Sequence, residues 1–206
     1  LMRRGELNGP AVLLAGTTVS GERVLAGQVP AGWEVQGVPE EELERLTPPF
    51  EEAVAAAAAG DAEELREKLR RVLVIHAGVT IEQRIQEALD QQMRFFQNPW
   101  MTHFLNYDPA PDLAEARAPV LALFGEKDTQ VLSEDNAPVA RRLLENGWPE
   151  GSEVVVVEDA NHFFQEAETG AGVEYVTLDQ TIMPRVLEMI SGWLTERFGV
   201  EPVEGE

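Results

Sequence analysis

No cysteine occurs among the 206 residues, which excludes disulfides, a thiolate nucleophile and zinc or iron–sulfur centres held by thiolates. Positive charge is scarce: two Lys and 14 Arg face 37 acidic residues, for a net charge of -21. Binding a phosphate backbone needs clustered Lys and Arg that displace counterions, so no nucleic-acid partner is expected. The acids are spread along the chain, as on a heavily solvated surface, although a salt-adapted source would give the same excess. No stretch approaches the ~18 apolar residues of a membrane-spanning helix, and no membrane association is expected. A basic leader followed by an apolar stretch and a cleavage site is also missing, which favours a cytoplasmic location.

Hydrophobic residues still make up 44% of the chain, and its length is enough for a buried core. Leu1 to Leu7 read as a frayed helix end, Asn8-Gly9 as a turn, and Pro10 to Ala15 as a short buried strand. Gly16 to Gly21 follow as a loop, and Glu22 to Gln28 begin a helix. From Trp33 to Leu105 no strand pattern appears. The segment reads as helices broken at Pro39, Pro48-Pro49, Gly60, Gly78 and Pro99. Asp61 with Glu64 forms a capping-box pattern ahead of Leu65, Leu69, Val72 and Leu73; Thr80 repeats it ahead of Ile81, Ile85, Leu89, Met93 and Phe96. So much helix between two strands exceeds a simple crossover and suggests an insertion over the sheet's carboxyl edge. The Ala-rich run from Ala53 to Ala59 needs no role beyond helix formation.

After Pro109-Ala-Pro111 the sheet pattern returns: a strand from Val120 to Phe124, a helix from Glu134 to Asn146 closed by Gly147, and a strand from Val154 to Val157. A last helix from Pro184 carries Val186, Leu187, Ile190, Trp193, Leu194 and Phe198 on one stripe, which should cover a sheet face. Glu201 to Glu206 is an acidic tail.

Two of these strands end alike. PVLALFGEKDTQV (Pro119 to Val131) is an apolar strand, a Gly turn and an acid, Asp128; VVVVEDANHFF (Val154 to Phe164) is an apolar strand, a polar loop and His162. In open α/β sheets chemistry gathers beyond the carboxyl ends of the strands, and adjacent parallel strands would bring the acid and the histidine together. A carboxylate can fix the tautomer of an imidazole and stabilise the imidazolium formed when it takes a proton from a weak nucleophile such as serine. The competing reading is that Asp128 caps its loop and His162 is structural.

Asn98-Pro99-Trp100, Tyr107 to Pro111, PVLALFGEKDTQV, ANHFFQEAETG and Glu174-Tyr175 together resemble the carboxyl-terminal half of α/β-hydrolases of the serine esterase kind, near the dienelactone-hydrolase-like and prolyl-oligopeptidase-like groups. PAVLLAGTTVSG (Pro10 to Gly21) resembles that fold's sixth strand and following loop. The resemblance implies an α/β class: a partial α/β-hydrolase fold, with parallel strands six to eight and flanking helices, plus an inserted helical cap. Its divisions would be 1–28 (start of the core), 29–105 (cap), 106–200 (rest of the core) and 201–206 (tail). It implies Asp128 as the orienting acid and His162 as base and then acid, acting on a small-molecule ester through an acyl-serine intermediate, with no cofactor and no metal.

The departure from that family is the nucleophile. None of the four serines, Ser20, Ser133, Ser152 and Ser191, sits in the G-x-S-x-G turn that should precede the sixth strand, and Ser20 comes after it. The oxyanion donors belong to the same missing region. The expectation is therefore a carboxyl-terminal portion, inactive alone, whose strand at 10–15 pairs either with the missing amino-terminal half or with a second copy in a homodimer. From another class comes a non-catalytic domain that binds a small apolar ligand or a protein partner beneath its cap.

Trp33, Phe95, Phe96, Trp100 and Phe104 are candidates for an acyl pocket, with helix-core packing an equal alternative. His76, His103 and His162 have no compact ligand spacing and are not read as metal ligands; His76 follows an apolar helical run, where core packing is the simpler reading. Glu126 and Asp135 flank the acid loop without the partner geometry of a glycosidase pair.

Overall fold

The computed structural model describes residues 9–77, 81–179 and 181–199. The expectations placed on residues 1–8, Gly78, Thr80 and 201–206 lie outside them. The chain is mixed α/β, with eight α-helices and a three-stranded parallel sheet among the described residues. It divides into two compact units: residues up to Val19 together with those from Pro109 onward, and Ser20–Asp108.

The first unit holds the sheet, in the order β1 (Ala11–Leu14), β2 (Val120–Gly125), β3 (Glu153–Val157). Ala11 lies opposite Val120, and Leu121 opposite Glu153. The central strand explains its own sequence: VLALFG is buried at every position, as an unbroken apolar run must be when both faces are covered. Ala11 and Ala15 donate backbone N–H bonds to Pro119 and Leu123, so Val12 and Leu14 turn their peptide groups to the outer edge. No strand pairs with that edge among the described residues.

Between β2 and β3 runs a helix, Ser133–Glu145, one of whose inward side chains is the buried Asn136. Its carboxamide oxygen accepts the Thr18 N–H at 2.8 Å and its backbone oxygen accepts the Thr18 hydroxyl at 2.8 Å, which pins the loop after β1. The final helix, Pro184–Phe198, buries Val186 and Trp193, and the Trp193 indole donates to Gly151 O. Ile190, Leu194 and Phe198 pack on the core as the stripe requires. Leu187 does not; it is half exposed, because a stripe of that width extends past the face that the sheet can cover.

The second unit is all helix: α1 (Gly21–Val35), α2 (Glu40–Ala59), α3 (Ala62–Ala77), α4 (Glu82–Phe96) and α5 (Pro99–Asn106). In chain order α6 (Ala110–Leu113), α7 (Ser133–Glu145) and α8 (Pro184–Phe198) then belong to the first unit. The division falls at Ser20 rather than at residue 29. The Gly21 N–H donates to Tyr107 O, and a Cβ on Gly21 would stand 2.0 Å from Phe104 O, so α1 is joined to the end of α5 from its first residue.

Pro48-Pro49 does not break a helix. Each proline removes a backbone donor and crowds the preceding turn, at a cost of about 3 kcal/mol in an isolated helix. Here α2 continues through them, because it is anchored along its length by buried Leu46, Pro49, Phe50, Ala53, Val54, Ala56 and Ala57. The capping box at Asp61 forms by half. Asp61 Oδ1 accepts the N–H groups of Glu63 and Glu64, but the Asp61 N–H is spent on Ala56 O, closing α2. Leu65, Leu69, Val72, Ile85, Leu89, Met93 and Phe96 form the core expected of α3 and α4. Ile81 is exposed, since it sits at the N-cap, outside the helical repeat.

Candidate functional site

The two loops beyond β2 and β3 continue the sheet's bonding after the strands have ended. The Glu126 N–H donates to Val157 O and the Lys127 N–H to Ala160 O, each at 2.9 Å. Gly125 permits this approach, because a Cβ there would stand 2.4 Å from Ala160 O. The chain then turns, and Asp128 folds back on it: Oδ1 accepts the N–H groups of Gln130 (2.8 Å) and Val131 (2.9 Å). The carboxylate is thereby fixed in orientation, and its side chain is fully buried.

The facing loop is built on Asn161, also fully buried. Its Oδ1 accepts the N–H groups of Phe163 and Gln165, while its backbone exchanges bonds with Gln165 and Phe164. This turn plants Phe164 in the core and leaves His162, one residue beyond Asn161, partly exposed. His162 Nδ1 lies 2.9 Å from Asp128 Oδ2. An ionised carboxylate only accepts, so the neutral ring carries its proton on Nδ1 and presents Nε2 with a free lone pair. That arrangement can take a proton at Nε2 and hold the resulting imidazolium beside a buried carboxylate.

Backbone strain concentrates around these loops. Among the described residues the non-glycine positions with positive φ are Ala15, Asp159 and Phe164, all shortly past the carboxyl end of a strand. Each such residue costs roughly 1–2 kcal/mol, tolerated where the surroundings over-determine the conformation. Lys127 helps to do so: its ammonium donates to Ala167 O and pairs with Asp159 at 2.7 Å. The same bond holds the Asp159 carboxyl below its ordinary range and raises the Lys127 ammonium.

A third layer comes from residues 169–176. Tyr175 packs edge-on against Phe163 with ring centres 4.9 Å apart, and its hydroxyl accepts from the Gln130 amide; burial pushes the phenol upward. Glu174 accepts from the Thr169 hydroxyl (2.6 Å) and from the Gly170 N–H (3.1 Å). The Thr169 hydroxyl, with backbone donors, outweighs burial and holds the Glu174 carboxyl below its ordinary value of 4.5. A folded-state value that is depressed stabilises the turn above that ordinary value and loses the contribution as pH falls through the lowered one. Hydrogen exchange at the Gly170 amide, corrected for its intrinsic rate, should therefore lose protection on acidification below about pH 4.5. Glu174→Gln should remove that pH dependence; equal protection from neutral to acid pH in the parent chain would contradict it.

Gln130, Asn161, Thr169 and Glu174 lie inside the stretches that carry the family resemblance, but sequence reasoning singled out none of them for a role. The signal that could have found one of them is Asn161, a residue type that favours Asx turns, placed just before the histidine.

The aromatic candidates separate. Trp33, Phe95 and Phe96 line one cavity of the helical unit. Trp100 and Phe104 stack on each other instead, with centroids 5.4 Å apart and ring planes nearly parallel, and Trp100 is mostly exposed. His76 packs against Trp33 and His103 against Tyr107. Among the described residues no three His, Asp or Glu side chains group as metal ligands. Glu126 accepts the Asp159 N–H, and Asp135 lies in the first turn of α7.

The serines are placed elsewhere. Ser20 Oγ caps α1 by accepting the Arg23 N–H, Ser152 Oγ joins Val120 N to Pro149 O, Ser191 Oγ donates to Glu188 O, and Ser133 begins α7. Among the described residues no serine hydroxyl is hydrogen-bonded to His162. Compared with known protein families, curated proteins and solved structures, the chain matches none.

Proposed function

We propose that this chain supplies the orienting acid, Asp128, and the general base, His162, of a serine hydrolase acting on small carboxylic esters. The observation that carries the reading is the 2.9 Å contact from Asp128 Oδ2 to His162 Nδ1, with Oδ1 of the same buried carboxylate locked by two backbone donors. A parallel three-stranded sheet with the pair beyond its carboxyl edge is compatible with strands six to eight of an α/β-hydrolase, and the helical unit Ser20–Asp108 with its inserted cap. The nucleophile has to come from a polypeptide outside these 206 residues, and the outer edge of β1, with which no strand pairs among the described residues, is the place for it or for a second copy to add.

In that assembly His162 Nε2 takes the proton as the serine oxygen attacks the ester carbonyl. It returns the proton to the departing alcohol, and then repeats the cycle with water to release the acid. Asp128 stays ionised throughout and keeps the ring in register.

A fluorophosphonate probe tests the reading. The chain alone should remain unlabelled and should hydrolyse activated esters no faster than its His162→Ala variant. Co-folded with a polypeptide carrying G-x-S-x-G, it should support labelling at that serine. Labelling at Ser20 in the chain alone would overturn it.

A further inference from the structure

The helical unit encloses a cavity of about 310 Å³ that the acid and histidine do not touch. Its floor is apolar and buried: Leu25, Phe50, Leu69, Val72 and Phe96. Trp33 and Phe95 complete an aromatic wall, with Trp33 edge-on to Phe50 and Phe95 edge-on to Phe96. Among the described residues two polar side chains line it, His76 and Gln92, and no Lys, Arg, Asp or Glu does.

We propose that this cavity binds an uncharged aromatic molecule of one or two fused rings that carries a single hydrogen-bonding group. Size sets the first limit. An apolar cavity of about 150 Å³ admits benzene, and pockets for small ligands begin near 300 Å³. Aromatic walls favour a ring, which can meet them edge-to-face. Charge sets the second limit. No cation lines the space to hold a carboxylate, and Glu42 Oε1 stands 3.6 Å from His76 Nδ1, so an imidazolium there is already opposed by its own carboxylate. A ligand cation would have to leave water for a lining that includes no carboxylate, since Glu42 itself does not line the space. A hydroxyl suits both polar groups, since the carboxamide of Gln92 donates and accepts and the imidazole of His76 does one or the other. The inference is independent of the reading of Asp128 and His162.

2-Naphthol serves as the probe, with 2-naphthoate and naphthalene for comparison, added to the whole chain and followed by the nuclear magnetic resonance of the Trp33 indole, assigned with Trp33→Phe. Saturable one-to-one binding of 2-naphthol is expected, with 2-naphthoate at least tenfold weaker. Gln92→Leu should weaken 2-naphthol several-fold and leave naphthalene unchanged. Val72→Phe, which grows a ring into the space, should reduce 2-naphthol binding at least tenfold with the helical circular dichroism intact; if it disturbs the fold, Leu73→Phe provides the same block from the neighbouring position. No displacement of the Trp33 resonance up to the solubility limit, equal binding in the filled variants, or tighter binding of 2-naphthoate would each overturn the proposal.

Discussion

Asp128→Asn, in the chain co-folded with a G-x-S-x-G polypeptide, is expected to lower ester turnover on the order of 10⁴-fold, and His162→Ala to remove nearly all of it. The amide keeps the size of the acid and loses what matters. Asp128 Oδ1 could still accept from Gln130 and Val131, but the group facing His162 Nδ1 would then be an NH₂ donor. The ring would be driven to the tautomer with its proton on Nε2, where the serine proton has to go. The partly buried ring would also become an imidazolium without its counter-charge. Asp135→Asn and Glu126→Gln should change little, because Asp135 belongs to the first turn of α7 and Glu126 meets a backbone N–H in the facing loop. Activity should fall on the acid side, since only the neutral ring accepts a proton. Near-normal turnover in Asp128→Asn beside loss in Asp135→Asn or Glu126→Gln would show that the wrong acid had been assigned.

Gly170→Ala should produce the largest loss of stability among single glycine replacements. Gly170 has φ +78, and a Cβ on it would stand 1.9 Å from Lys127 O. The obstacle is backbone, one residue before Asp128, and it cannot rotate aside. The left-handed conformation adds about 1–2 kcal/mol and the overpacking about 1–3, so a loss of about 2–5 kcal/mol is expected in urea unfolding. Gly60→Ala separates the two contributions: φ there is +76 with nothing within 4 Å of the added carbon, so only the conformational cost should appear. A Gly170→Ala loss no larger than that of Gly60→Ala would mean that the segment at 170 does not bear on the acid loop. Because Gly170 O also accepts the Thr129 hydroxyl, the replacement should disturb the loop that holds Asp128 as well as the stability.

What could be read from the sequence was what short-range pattern determines. The apolar runs at 120 and 154 are strands because both have the length of parallel strands between turn signals, the first wholly apolar and the second four valines in a row, and their register brings the two following loops together. Asp128 and His162 were legible because each follows such a run by a few residues. Their union was not a matter of local pattern; it needed Gly125 to admit Ala160 O and Asn161 to turn the chain. The misreadings share a cause. Pro48-Pro49 looked like a break because local propensity penalises it, whereas burial along the whole of α2 decides the outcome. The start of α1 looked like part of the sheet unit because it follows β1 directly, whereas the approach of Gly21 to Phe104 assigns it to the helices. Trp100 and Phe104 satisfied each other by stacking, which helical spacing alone does not separate from a shared pocket with Trp33.

The nitrogen resonances of His162 in the chain itself test the acid–base pair most directly. With Nδ1 bonded to Asp128, the neutral ring should show a protonated Nδ1 and a bare Nε2, and a far-downfield Nδ1 proton that disappears in Asp128→Asn. A neutral ring protonated at Nε2, or an Nδ1 signal unchanged by Asp128→Asn, would contradict the pairing on which the proposed chemistry rests.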